Sequence, residues 1–415
     1  MRRFTIDSTV LGTSKHIVGD PEGFTWSESV PRDSWHMTGY LKSNSTAKCL
    51  DTLFKLNRHV PASVPERYLA AVRCLVTGSN DHKIPWQHAM PQDEFRLFFK
   101  NLVQETTNVF SELPFDYYDV AWSAGSRVLG SLKPARIDPA IFQSHLETVG
   151  QTAPGLESFR PKRSGFAHQV EYDRFATRTG RLTVSEGPNI LILKKSCRDV
   201  LASSFEGGTI VSLDFKALEA RIVLAEAGRY AEEEDIYEEI SRKQFKGVLP
   251  RDVVKTAVLA DLYGISRGSL RARLGVSEQK LDSFIGVIRD YFKVEELRKR
   301  LKDQVGNSGT MINRFGRPLV MPEGQDNLLV NTYAQSSGVD VSMLGFDHVL
   351  KQLGTDGVRP LFVLHDAIIM DIRGDRLKDV QDITEVPVPS YDKNFPVKFE
   401  TVTQISLIEQ STFTG

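Results

Sequence analysis

Two strongly apolar runs in this chain each carry an aspartate that a buried strand cannot hold cheaply. TIVSLDF (209–215) follows Gly207-Gly208 and sets Asp214 beside Phe215, while PLFVLHDAIIMDI (360–372) is interrupted at its centre by His365 and Asp366. Short β-branched and aromatic runs after glycines read as strands. A carboxylate buried there without a partner costs several kcal/mol. A salt bridge at a strand end is one explanation. The other is that the two strands lie side by side and aim both carboxylates at divalent cations. Mg²⁺ prefers hard oxygen ligands and keeps waters, so two carboxylates plus phosphates suffice. Two such ions about 4 Å apart would activate an attacking hydroxyl and stabilise a leaving pyrophosphate.

Between these runs lies RDVVKTAVLADLYG (251–264), with helical periodicity behind Pro250. Proline is tolerated at or just before a first helical turn, where a missing N–H costs nothing. Arg251, Lys255, Leu259 and Tyr263 stand four apart and share one slowly drifting stripe. Two cations, an apolar residue and an aromatic in that order suit a nucleoside triphosphate. The plainer alternative is an amphipathic helix with basic residues at one end.

Composition narrows the rest. The chain has 415 residues and a formal net charge of −1, so nucleic-acid contact would have to come from local patches. Candidates are Arg160-Lys162-Arg163, Lys194-Lys195-Arg198, Arg267-Arg271-Arg273 and Arg298-Lys299-Arg300-Lys302, although such clusters are commonly solvated faces. Cys49, Cys74 and Cys197 lie far apart, against a disulfide scaffold or zinc module and in keeping with a reducing compartment. No stretch approaches the roughly 18 consecutive apolar residues of a membrane span, so no membrane is expected, and the cytoplasm is the expected location. An organellar presequence stays open, although Asp7 and Asp20 break the acid-poor pattern.

The first ~150 residues read as mixed and mostly helical, with amphipathic stretches at 64–77 and 93–112. A helix is expected from Lys216 to about Ala227, a long charged helix over 277–305, a hairpin turning at Phe315-Gly316, and a helix over 331–350.

Taken in order, these segments resemble family A (DNA polymerase I-like) DNA polymerases. LDFKALEAR (213–221) is similar to the family's motif A, RDVVKTAVLADLYG (251–264) to motif B and VLHDAIIMDI (363–372) to motif C. TGRLTVSEGPNI (179–190), NTYAQSSGVDV (331–341) and NFPVKFE (394–400) resemble accompanying segments, the second closer to phage replicative members. The resemblance covers about 170–400. It implies an α+β right-hand fold with an antiparallel palm sheet, helical fingers and a helical thumb. The expected divisions are 1–164 (thumb and start of palm), 165–227 (palm), 228–308 (fingers) and 309–415 (palm).

Carried over residue by residue, the resemblance implies that Asp214 and Asp366 bind two Mg²⁺ ions, with Mn²⁺ as a substitute, and that the Phe215 carbonyl is a further ligand. Arg251 and Lys255 would grip the triphosphate, and Lys255 would act in catalysis. Leu259 and Tyr263 would meet the nucleotide, with Tyr263 at the hinge of the fingers helix. His365 would lie near the primer terminus. Glu219 would crowd the sugar 2′ position and exclude ribonucleotides. Arg181, Asn189, Arg198, Asn331 and Gln335 would touch DNA. Minor-groove acceptors are similarly placed in every Watson–Crick pair, so donors there can check pairing without reading sequence.

Two positions depart from the family pattern. Ala367 stands where glutamate is usual, which removes an outer carboxylate. Leu259 stands where Phe or Tyr packs under the sugar, with Ala260 replacing a glycine beside it. Asp20-Pro21-Glu22 formally matches a nuclease D-x-E motif, but proline inside a strand argues against it. The implied partners are primer–template DNA and deoxynucleoside triphosphates (dNTPs), with a separate proofreading exonuclease, helicase or processivity factor. Two alternatives stand beside this reading: a related RNA polymerase or primer-making nucleotidyltransferase, and a catalytically weakened DNA-binding replisome scaffold.

Overall fold

The computed structural model describes residues 3–6, 15–20, 23–29, 34–37, 65–68, 70, 86–112, 114–148, 154–262, 267–321 and 324–402. The chain forms two compact units, Met1–Phe115 and Asp116–Gly415.

The first unit contains a four-stranded sheet in the order β3-β2-β1-β4, from β1 (Arg3–Ile6), β2 (His16–Asp20), β3 (Gly23–Ser27) and β4 (Ser34–Met37). Strands β1 and β4 run parallel; the other pairs are antiparallel. The mixed, mostly helical character expected of the first ~150 residues holds among the described ones, and this sheet is its strand part. The strands are only four or five residues long, too short to display a clear period of two against their polar connections. The 93–112 stretch does form a helix, Gln92–Ser111, burying Phe98, Leu102, Val103, Thr106, Val109 and Phe110. Its Phe110 ring meets Phe4 of β1 edge-on at 5.3 Å. Most of the 64–77 stretch, together with Pro21 and Glu22, lies outside the described residues.

The second unit is built on a five-stranded antiparallel sheet. Short pairs precede or flank it: β5 (Arg136–Ile137) with β8 (Leu201–Ala202), β6 (Glu171–Asp173) with β7 (Thr183–Glu186), and β10 (Met311–Ile312) with β11 (Pro318–Leu319). The main sheet has the order β12-β13-β9-β15-β14, from β9 (Thr209–Phe215), β12 (Val358–Leu364), β13 (Ala367–Ile372), β14 (Glu385–Val386) and β15 (Phe395–Thr401). All four of its pairings are antiparallel. This mixture of long helices and an antiparallel sheet is an α+β fold.

Strand β13 is buried along its whole length, as a central strand covered on both faces must be. The helix Leu329–Leu353 packs against the helices Ser123–Ser131 and Leu218–Glu226. Gly345 in that helix makes room for Phe215: a Cβ there would lie 2.5 Å from the tip of the phenylalanine ring. The backbone of Phe215 is thereby held at the sheet end while its side chain packs with Phe346 and Phe395.

Two of the hydrophobic clusters among the described residues of this unit flank the site. One gathers Ile210, Leu361, Phe362 and Ile369 of the sheet with Phe159, Ile190 and Val200. The other gathers Val254, Val258, Leu281, Ile288, Phe292 and Leu301 with Ala220 and Leu224. The single long helix expected over 277–305 is two helices, Glu278–Phe292 and Val294–Ser308. Lys293 between them adopts a left-handed φ of 51°. The bend lets Phe292 and Val294, both fully buried, enter the same cluster, a tertiary gain that helical periodicity does not encode.

A buried polar cluster locks the long helix to the hairpin. Asp340 is fully buried and accepts hydrogen bonds from Asn313 Nδ2 (2.6 Å) and the Tyr117 hydroxyl (3.4 Å), with the Arg317 guanidinium 3.8 Å away. Arg317 also donates to the Arg174 carbonyl at 3.2 Å. Arg174 stacks over Trp122 at 3.4 Å, and burial pushes its guanidinium down to about 10. Gly180, at φ +77°, faces Arg317, where a Cβ would fall 2.0 Å from the guanidinium.

Candidate active site

Sheet register brings the two acid-bearing runs together. Ala367 pairs directly with Asp214, so the His365-Asp366 turn that joins β12 to β13 sits at the end of β9. The Phe215 N–H donates to the Asp366 carbonyl at 3.0 Å, tying the turn to that strand end. His365 takes a left-handed φ of 56°, which lets a tight turn place Asp366 at its corner.

Asp214 and Asp366 line one cleft of about 640 Å³. Burial pushes the Asp214 carboxyl up to about 7, and the neighbouring charges of Asp366 and Glu400 push it the same way; Lys398 and Lys195 oppose them. Its Oδ1 is buried with no hydrogen-bond partner among the described residues. Burial raises Asp366 as well, against a backbone hydrogen bond and the charges of His365 and Arg181. His365 is pushed below its usual value by burial and then by Arg181.

The facing wall comes from the helix Arg251–Leu262, which begins immediately after Pro250. Arg251, Lys255 and Leu259 all line the cleft. Arg251 donates Nε to Asp235 Oδ2 at 2.8 Å and an Nη1 hydrogen to Asp252 at 2.8 Å. Asp235 in turn caps the helix Ile236–Phe245, accepting from the N–H groups of Tyr237 (2.9 Å) and Glu238 (3.2 Å). Lys255 is exposed.

Glu219 sits in the first turn of the helix Leu218–Glu226 and accepts from Arg181 Nη2 at 3.0 Å. Both line the cleft, as do Gln335, His365 and Phe215. Asn189 and Asn331 line neither this cleft nor a second cavity of about 220 Å³ beside it. The second cavity is lined by Arg198, Lys195 and Glu400 together with Asp214, Asp366 and Ala367. Tyr263 lies outside the described residues.

The cleft also contains residues that sequence reasoning did not single out: Lys216, Glu234, Asp235, Tyr237 and Lys398. Two carried a local signal. Lys216 lies two positions beyond Asp214, inside the segment that resembles motif A. Asp235 stands three residues before Glu238, a helix-start pattern. Lys398 carried none, because its place depends on the cross-strand register that sets it opposite Asp214.

The family model for DNA polymerase family A matches residues 142–406. The chain belongs to that family. It is 24% identical over 289 residues to the thermostable DNA polymerase I of Thermus thermophilus, an alignment spanning 62% of this chain and 34% of that one. It is 27% identical over 175 residues to the DNA polymerase of Mycobacterium phage L5, spanning 40% of this chain and 28% of that one. The chain thus covers about a third of the length of these relatives. A solved structure of the POL domain of Pol1 from M. smegmatis, in complex with DNA primer-template and dNTP, shares the fold. The TM-score is 0.55 at 16% identity, covering 93% of this chain and 91% of that one.

Family A polymerases generally use divalent metal ions, and the residues at this sheet end fit such an ion. The unpartnered Oδ1 of Asp214 and the carboxylate of Asp366 are hard oxygen donors on one cleft wall. Among the described residues no three His, Cys, Asp or Glu side chains gather into a closed metal cage. A sparse oxygen set suits an ion that keeps waters and takes phosphate oxygens, and it does not suit a structural zinc site.

Proposed function

We propose that this chain is a template-directed DNA polymerase that extends a primer 3′-hydroxyl with dNTPs and releases pyrophosphate. The observation that carries the reading is one cleft lined by Asp214, whose Oδ1 has no hydrogen-bond partner among the described residues, by Asp366 and by Arg251 and Lys255. Asp214, Asp366 and the Phe215 carbonyl would hold two Mg²⁺ ions, with Mn²⁺ able to substitute. When bound, the ions would lower the pKa of the primer hydroxyl and neutralise charge building on the leaving pyrophosphate.

Arg251 and Lys255 would orient the triphosphate, so that the primer oxygen forms its bond to the α-phosphorus in line with the bond that breaks to pyrophosphate. Lys255 would offset negative charge on the leaving group. Catalysis in such a site is chiefly positioning and charge stabilisation. Leu259 and Tyr263 would contact the nucleotide, and His365 would flank the primer end. Arg181, Asn189, Arg198, Asn331 and Gln335 would contact the duplex. Residues 165–227 and 309–415 would act as palm, 228–308 as fingers and part of 1–164 as thumb. No described helix is long and apolar enough to cross a membrane; the proposed setting is the cytoplasm, a host's if the protein is viral.

The test is primer extension by the purified chain with each dNTP and Mg²⁺ or Mn²⁺. Failure to add template-matched nucleotides under any of these conditions would refute the assignment. Two further outcomes are expected. Glu219→Ala should relax discrimination against ribonucleotides by roughly 10–100-fold, the scale of a lost steric contact at a substrate pocket. It is measured as the ratio of kcat/KM for dNTP and NTP, and an unchanged ratio would remove Glu219 from sugar selection. Arg198→Ala should weaken primer–template binding similarly for all sequences and reduce the log–log salt slope by about 1.

A further inference from the structure

The cleft contains more positive charge than Arg251 and Lys255 account for. Lys216 follows β9 in the turn that leads, through Ala217 at a left-handed φ of 50°, into the helix Leu218–Glu226. Its N–H donates to the Pro396 carbonyl at 3.0 Å, which fixes it to the edge of the sheet. Its side chain lines the cleft together with Asp214. An ammonium group in the same cleft as a cation-binding carboxylate repels a bound metal ion unless an anion lies between them. Such an arrangement is suited to a metal together with a polyanion.

Acidic side chains pair with two of these cations. Lys216 forms an ion pair with Glu234, and Arg251 forms one with Asp235 at 2.8 Å. These consecutive acids enter the cleft from one segment, which Arg221 anchors through the carbonyls of Glu233 and Glu234. Glu234 is 67% exposed, so water can replace its partner at little cost.

We propose that Lys216 is a third cationic contact for the triphosphate, and that Glu234 and Asp235 are exchangeable counterions holding Lys216 and Arg251 until phosphates displace them. The inference rests on the polymerase reading for its ligand, but its test does not require extension. Binding of dATP with Mg²⁺ to the full chain, without DNA, is measured by titration calorimetry for wild type, Lys216→Met, Lys216→Arg and Glu234→Gln.

Lys216→Met should weaken binding about tenfold, as expected for loss of a charge-assisted contact. Lys216→Arg should restore binding to within about threefold of wild type, since the charge is kept while the geometry differs. Glu234→Gln should tighten binding by about twofold to fivefold, the scale of releasing an exposed ion pair. Lys216→Met binding as wild type does, Glu234→Gln binding more weakly, or no binding by wild type would each overturn the proposal. A protein that binds as described yet extends no primer would refute the polymerase reading and leave this one standing.

Discussion

Asp214→Asn is expected to reduce nucleotide incorporation by at least about 10³-fold, on the scale of removing a principal charge-stabilising group, and to make the metal-free protein more stable at pH 8. The two effects share one cause. The Asp214 carboxyl has a buried oxygen without a partner and is pushed up to about 7, first by burial and then by Asp366 and Glu400. Between its usual value of 3.8 and about 7, the folded protein keeps a proton that the unfolded chain releases. The stabilisation from this group is therefore fully present below about pH 4 and is lost as pH rises through 7. Asparagine has no charge to desolvate, so the variant should overtake wild type in melting temperature as pH rises across that window. Adding Mg²⁺ at pH 8 should raise the melting temperature of wild type and do much less for the variant. Melting curves at pH 5 and pH 8 check this; a variant less stable than wild type at pH 8 would contradict the electrostatic account. Asp366→Asn should lose incorporation to a similar extent while leaving primer–template affinity close to wild type.

Asp340→Ala should act in the opposite direction, destabilising the fold by about 3–5 kcal/mol and lowering the melting temperature by on the order of 10 °C. Asp340 is as buried as any residue in the protein, but unlike Asp214 it is partnered by Asn313, Tyr117 and Arg317. Removing it leaves the buried Arg317 guanidinium without its counter-charge and the Asn313 amide without its shortest acceptor. A melting temperature within a degree or two of wild type would show that the cluster contributes little net stability. Burial raises the Asp340 carboxyl too, but Arg317, Asn313 and Tyr117 oppose that rise, whereas the Asp214 Oδ1 has no hydrogen-bond partner among the described residues.

Why some of this was legible in the sequence and some was not follows from where each signal resides. Asp214 and Asp366 interrupt short apolar strands, and a strand's period of two makes such an interruption conspicuous in local sequence. Arg251, Lys255 and Leu259 share a stripe because helical spacing is also local. Pairing partners are another matter. Arg251 is held by Asp235, sixteen residues earlier, and Lys398 faces Asp214 only through the β15–β9 register. Neither relation leaves a trace in any short window. The bend at Lys293 and the four short strands of the first unit were missed for a related reason. In each, packing against distant residues outweighs the intrinsic preference of the segment.

The two hydrophobic clusters that flank the site have a mechanical consequence. The acids ride on a sheet whose core includes Ile210, Phe362 and Ile369, whereas the Arg251–Leu262 helix is seated in another core with Leu281, Ile288 and Leu301. That second core also takes in Ala220 and Leu224 of the helix that follows β9, and Val330 and Ala334 of the Leu329–Leu353 helix, so the seating of the cation-bearing helix is tied to the strand that carries Asp214. Amide exchange should show the helices Leu218–Glu226 and Arg251–Leu262 opening together, since they share that core.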